Sequence, residues 1–349
     1  MRWDLFCRVI DNHGDLGVCW RLAADLGARG ETVRLWVDDP RALAWMAPQG
    51  ALGVSVVRWA DPWPAVDPGD AVIEAFGCDP PAAFVGRMVS RRPAPTWINF
   101  EYLSAEAYVE RCHGLPSPQT QGPGAGLTKW FFYPGFTPAS GGLLREPHAL
   151  DAADPGWLAA QGVPPQPGER CVSLFAYADA PVQALLARLD SRPTLLLLTA
   201  GAAQAPARAL FNSQGRRGRH LRVRTLPWLD QAGYDRLLRA CDLNFARGED
   251  SIVRAMWAGA PFVWQIYAQP DGAHAGKLEA LLDRLTAGSP APLAGALREL
   301  WRAWNGLGPW PAALPEADPW RALCQAWRRQ LAAQDDLTSQ LLRFIGTKR

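Results

Sequence analysis

Two short stretches, 230 residues apart, hold the side chains best suited to chemistry. Asp11-Asn12-His13-Gly14-Asp15-Leu16-Gly17 puts two carboxylates four positions apart in a run of turn-forming residues. The glycines permit a tight turn and a close backbone approach. A pair of acids repels a phosphate but suits a base acting on a neutral or cationic acceptor. The plainer reading is that Asp11 caps a turn and Asp15 caps the first helix. The second stretch, Arg247-Gly248-Glu249-Asp250-Ser251, combines a guanidinium, a hydroxyl and two acids before a helical pattern. Arg247 and a helix N-terminus together offset the charge of a diphosphate. Glu249 or Asp250 can hold sugar hydroxyls, and Asp250 or Ser251 can cap the helix. An ordinary capped helix with a flanking ion pair accounts for the same residues. Phe175 and Tyr177 stand where a strand ends and can stack on a base, although most such rings are core. Gln231, in a loop before a helix, can read a base edge or simply face water. Tyr267 and Gln269 lie beyond the last strand and can line a cleft.

These residues must be held by the elements around them. The acidic loop follows a strand over residues 4–10 and precedes an amphipathic helix over 18–29, where Trp20, Leu22, Ala23 and Leu26 share a face. Gly30 ends that helix. Strands are predicted at 32–37, 54–59, 71–75 and 96–100, with Glu101 and Tyr102 directly after the last. Residues 113–127 read as loop, because Pro, Gly, Ser and Gln dominate. A second set of strands follows at 170–175, 194–200, 221–226, 241–246 and 262–267, with helices after the first, third and fourth. The arginine-bearing stretch lies between the last two strands, and Gly259-Ala260-Pro261 stops its helix. Such alternation predicts parallel sheets with ligands at the carboxyl ends of the strands. Helical periodicity continues at 276–286, 292–305, 319–334 and 336–345. The expected architecture is α/β: two Rossmann-like domains facing across a cleft. The first covers 1–155 and the second 165–319.

Composition narrows the function. A formal charge of +2 over 349 residues gives no electrostatic case for nucleic-acid binding. No stretch approaches 18 apolar residues, and Asp4 interrupts the N-terminal apolar run, so neither a membrane span nor a secretory leader is expected. Seven cysteines scattered singly suit reduced thiols and a cytoplasmic location. His13, His113, His148, His220 and His274 lack zinc-ligand spacing, so no metal is expected.

Several motifs, in order along nearly the whole chain, resemble one family. They are DNHGDLGVCWRLA from Asp11, NFEYLSAE from Asn99, KWFFYPGFT from Lys129, SLFAY from Ser173 and CDLNFARGEDSIVRAMWAGAPFVWQIYAQ from Cys241. The chain is similar to the EarP family of protein-arginine rhamnosyltransferases. Residues 138–168 and 287–318 do not share in the match. The resemblance implies a GT-B glycosyltransferase whose C-terminal helices, here 320–349, join the first domain, and an inverting enzyme that needs no metal or other cofactor. It moves L-rhamnose from dTDP-β-L-rhamnose onto one arginine of translation elongation factor P, which then relieves ribosomes stalled at polyproline. It implies Asp15 as general base, with Asp11 and Glu249 also needed for turnover. Phe175 and Tyr177 would surround thymine and Gln231 would contact the nucleotide. Arg247, Asp250 and Ser251 would hold the diphosphate, and Asn12, Gly14 and Gly17 of the first loop are further expected substrate-binding residues. His13 departs from the pattern, which has an aromatic such as Phe there. Without the resemblance, two alternatives stay open. One is a transferase of the same fold using another nucleotide sugar and a small acceptor. The other is a nucleotide-binding module without catalysis, against which Asp11, Asp15 and Glu249 together argue.

Overall fold

Runs of β-branched and aromatic residues set between amphipathic helices build two parallel sheets, each in its own compact unit. The structure is a computed structural model and describes residues 1–10, 13–59, 63–213 and 220–348. One unit comprises Met1–Glu146 with Leu331–Arg349, and the other Pro147–Gln330.

The first unit contains β1 (Arg2–Cys7), α1 (Gly14–Ala28), β2 (Thr32–Val37), α2 (Leu43–Met46), β3 (Val54–Arg58), β4 (Ala71–Ala75) and α3 (Ala82–Ser90). It continues with β5 (Thr96–Phe100), α4 (Tyr108–Cys112), β6 (Pro116–Pro118) and β7 (Thr128–Phe132). The strand order is β3-β2-β1-β4-β5-β7-β6. Pairing is parallel except between β6 and β7, where Ser117 faces Lys129. Burial on both faces fits the mostly apolar β1 and β4, each of which nevertheless carries one buried acid, Asp4 and Glu74. Leu5, Leu35 and Ile73 enter the core under α1, whereas Phe6, Trp36 and Phe84 fill the opposite face. The acid inside β1 is fully matched. Asp4 is buried and accepts hydrogen bonds from Arg34 at 2.7 and 2.8 Å, from the Trp36 indole at 2.7 Å and from the Gly69 N–H at 2.6 Å. That set compensates the loss of water around the charge.

The second unit contains α5 (Trp157–Ala160), β8 (Arg170–Leu174), α6 (Val182–Leu189), β9 (Thr194–Leu198), α7 (Gln204–Ser213), β10 (Leu221–Thr225), α8 (Gln231–Ala240) and β11 (Leu243–Arg247). It ends with α9 (Gly248–Ala258), β12 (Phe262–Gln265), α10 (Ala273–Leu285), α11 (Ala291–Trp304) and α12 (Ala317–Ala332). The order β10-β9-β8-β11-β12 is parallel throughout. The first strand of the unit therefore lies mid-sheet, next to the fourth. This reversal opens a crevice at the carboxyl ends of β8 and β11.

The last helix, α13 (Leu337–Gly346), returns to the first unit. Its N-cap, Asp336, accepts from the Ser339 N–H at 2.9 Å and from Arg29 of the α1 C-cap at 2.7 Å. Leu337, Leu341 and Ile345 then enter the core beneath α1. Each buried side chain of this size contributes about 1.5–3 kcal/mol.

Several elements differ from the sequence reading. α1 begins at Gly14 rather than at residue 18, so Gly14, Asp15 and Gly17 belong to its first turns. The 113–127 loop contains β6, stabilised by pairing with β7 rather than by its own composition. α3 and α7 were not foreseen.

Candidate functional site

In the second unit the functional side chains gather at the carboxyl ends of β8, β11 and β12. β11 runs straight into α9 with almost no turn. Arg247 is the N-cap, still in extended backbone, and Gly248 takes φ +69°. A left-handed residue is what folds the chain sharply from strand into helix there. Asp250 and Ser251 were expected as caps, but they lie inside the first turn, and no side-chain cap hydrogen bond is made at this helix start among the described residues. The dipole of an eleven-residue helix thus ends at Arg247 and Gly248, where negative charge is favoured.

Arg247 is buried, and its guanidinium carbon lies 4.5 Å from the centre of the Phe175 ring and 4.7 Å from that of Tyr177. Each such contact contributes about 0.5–2 kcal/mol and orients the guanidinium as much as it stabilises it. The two aromatics expected to meet a base thus also fix the arginine. Any base must use their remaining surface. Phe175 is itself placed by its N–H, which donates to the Phe245 carbonyl at 2.9 Å, and by the edge of Tyr234, 5.6 Å away. Gly201 leaves room for it, since a Cβ there would come within 3.2 Å of the Phe175 ring. Tyr177 packs edge-on to Tyr267 at 5.7 Å.

Gln231 is the first residue of α8 rather than part of a loop, and the cap is Asp230, which accepts from the Gly233 N–H at 2.7 Å. Gln231 and Tyr234 are three residues apart on α8, and Tyr234 packs edge-on to Phe175. Ser251 is buried beside the Tyr234 phenol. Burial pushes that phenol well above its ordinary range, while the Ser251 hydroxyl works the other way. Asp250 approaches Arg254 one turn on, at 3.9 Å. Glu249 is half-buried in the first turn of α9.

One positioning residue was missed. Gln265, buried at the end of β12, accepts the Tyr177 N–H at 2.8 Å and donates to Asp179 at 3.2 Å. A single amide thus ties the loop after β8 to the sheet. A glutamine within FVWQIY offers no periodic signal for this, although a polar residue buried in an apolar strand always needs partners. Gln269 is held back by its N–H, which donates to His274 at 3.1 Å.

In the first unit the equivalent crevice lies between β1 and β4, neighbours in the sheet. Asp15 is in the first turn of α1, 4% exposed, and its Oδ2 accepts the Ile10 N–H at 2.9 Å. It does not cap the helix: the N-cap is His13, whose ring meets Trp45 edge-on at 5.6 Å. Gly17 donates its N–H to the His13 carbonyl at 2.9 Å, closing the first turn. Asp11 and Asn12 lie outside the described residues. At the end of β4, Phe76 adopts φ +58°, an uncommon conformation for a side-chain-bearing residue. Its ring stacks on Tyr102 at 4.5 Å and 17°. Such strain concentrates at functional sites. Among the described residues, no three His, Cys, Asp or Glu side chains converge as a metal site, and no helix is long and apolar enough to cross a membrane.

Comparison with known proteins bears on the family and the fold. Residues 3–346 match the model of the family described as elongation-factor P (EF-P) rhamnosyltransferase EarP. The chain is 44% identical to a protein-arginine rhamnosyltransferase of Pseudomonas aeruginosa, covering 99% of this chain and 98% of that protein. It is 33% identical to its namesake in Neisseria meningitidis, covering 98% and 96%. A solved structure concerned with EarP-mediated arginine glycosylation of translation elongation factor EF-P superposes with a TM-score of 0.68 at 32% identity, covering 100% of this chain and 99% of that one. A spinosyn rhamnosyltransferase solved with thymidine diphosphate, 15% identical with a TM-score of 0.54 and covering 99% and 100%, shares the fold alone. With two parallel Rossmann-like sheets in a GT-B glycosyltransferase fold, and matched over nearly its whole length, the chain belongs to the EarP family of EF-P rhamnosyltransferases.

Proposed function

We propose that this chain transfers L-rhamnose from dTDP-β-L-rhamnose to one arginine side chain of elongation factor P, with inversion at the anomeric carbon. The observation that carries the reading is Arg247, held between Phe175 and Tyr177 at the start of α9. A pre-oriented guanidinium at a helix N-terminus meets a diphosphate without having to reorganise. Gln231 and the aromatic pair serve the thymidine, and Ser251 and Asp250 support the turn that grips the phosphates. Relatives carrying the rhamnosyltransferase name over full length support the sugar and the acceptor.

The acceptor sets the chemical problem. A guanidinium is protonated at every physiological pH and is a poor nucleophile. In the proposed step Asp15, with Asp11 beside it in sequence, binds the guanidinium. One nitrogen attacks the anomeric carbon as its proton passes to the Asp15 carboxylate. The nitrogen–carbon bond forms, the carbon–oxygen bond to the β-phosphate side of the donor breaks, and dTDP leaves with the electron pair. Arg247 and the α9 N-terminus stabilise the charge that develops on it. Glu249, in the same turn, is assigned to the rhamnose hydroxyls or to ordering the turn. Asn12, Gly14 and Gly17 are assigned to substrate binding beside the two acids. The product is an α-linked N-glycoside, and in the cell the modified factor relieves polyproline stalling from the cytoplasm.

Donor identity is tested by melting the protein with dTDP or UDP. dTDP should raise the midpoint more than UDP, and Arg247→Ala should abolish the rise. Equal shifts with both nucleotides would favour a transferase with another donor.

A further inference from the structure

The second unit carries another concave surface at the opposite end of its strands from Arg247. A pocket of about 550 Å3 opens at the amino end of β8 and is lined by Arg170, Arg188, Arg192 and the segment leading into α12. A smaller hollow of about 340 Å3 adjoins it and shares Arg170 and Arg192. The two arginines are not equivalent. Arg192 is exposed, whereas Arg170 is largely enclosed. The Arg170 Nε is buried and meets no hydrogen-bond acceptor among the described residues, and its Nη2 reaches only Thr194, at 3.4 Å.

The neighbouring acids offset this charge only in part. Asp242 is already committed to Arg321 at 2.9 Å and to the Cys171 N–H at 2.9 Å. Glu169 is bound by both arms of Arg222, at 2.6 and 2.8 Å. Glu316 and Asp318 also line the pocket, but both are exposed at its rim, where water screens them. Arg188 spends its Nε on the Pro311 carbonyl at 2.7 Å, which fixes the far wall. Burial, with Arg192 adding to it and Asp242 only partly opposing it, pushes the Arg170 guanidinium down to about 10. A partly buried cation whose Nε lacks an acceptor, with a second cation beside it, is favoured by an anion that completes it. Planar guanidinium groups are suited to tetrahedral oxyanions, which they bind through paired N–H donors.

We propose that this pocket binds a phosphate-class oxyanion between Arg170 and Arg192, a site separate from the one that would hold the donor. The anion is either free phosphate or the phosphate group of a small molecule for which the pocket has room.

The test is calorimetric titration of the full chain carrying Arg247→Ala, so that oxyanions at the carboxyl ends of the strands do not contribute. Inorganic phosphate and ribose 5-phosphate are titrated separately at constant ionic strength. Saturable binding of at least one of them is expected, weakened about tenfold or more when Arg192→Ala or Arg170→Met is added. Tighter binding of the phosphate ester assigns the site to a phosphorylated small molecule, and equal or tighter binding of phosphate assigns it to the free ion. Absence of saturable binding for both, or binding indifferent to Arg192→Ala, overturns the proposal. Should Arg170→Met fail to fold, the exposed Arg192 decides the matter.

Discussion

Arg247 and Asp15 divide the proposed chemistry between them, and each has a distinct kinetic signature. Arg247 would act on the leaving group. Its replacement by lysine keeps the charge but loses the flat surface that lies against Phe175 and Tyr177. Arg247→Lys should therefore raise the donor KM and lower kcat, with a combined loss in kcat/KM of about 10²-fold or more. A lysine variant with wild-type constants would remove Arg247 from the mechanism. Asp15 would act on the acceptor. Asp15→Asn keeps an oxygen for the Ile10 N–H, so the fold should hold. Its kcat should fall by about 10²–10⁴-fold while the donor KM stays unchanged. Glu249→Gln should also lower kcat, and full turnover in that variant would cancel its assigned role.

At the scale of elements, the site depends on how strands hand over to helices. Gly248 takes φ +69° between β11 and α9, so Gly248→Ala should destabilise the chain by about 1–2 kcal/mol. Urea unfolding measures that loss, and an unchanged midpoint would mean the turn tolerates a side chain. Gln265 ties Tyr177 to β12, and Gln265→Met should raise the donor KM severalfold with kcat nearly intact. A fall in kcat alone would assign Gln265 to something other than holding the aromatic loop. These junctions mark the limit of what could be read from sequence. Strand and helix order was legible, because apolar runs and helical periodicity persist over many residues. The start of α9 was misread because Glu-Asp-Ser looks like a capping sequence, and the backbone of one glycine outweighs it. The same holds for α1, where Asp15 resembles a cap but is already inside the helix. β6 was illegible because its three residues form a strand only by pairing with β7. Gln265 was illegible because its partners come from another strand's loop.

For the molecule as a whole, stability and function make separate demands. Glu74 is buried in β4, with Lys129 as ion-pair partner, the Trp97 indole donating at 3.0 Å and Asp79 further along the lysine. Burial, despite Lys129, pushes its carboxyl from 4.5 up to about 6. The folded chain thus holds that proton more tightly than the unfolded one, so stability falls as pH rises from 4.5 through 6. The loss is about 2 kcal/mol. Glu74→Gln should abolish that slope, and urea midpoints at pH 4.5 and 7 for both proteins would show it. Parallel slopes would contradict the assignment. Function rests instead on the family's chemistry being carried out by these particular residues. The most direct test is the intact mass of elongation factor P after incubation with this chain and dTDP-β-L-rhamnose. The account predicts a gain of one deoxyhexose, mapped to a single arginine and absent with Asp15→Asn; an unmodified factor, or undiminished modification by the Asp15→Asn chain, would contradict it.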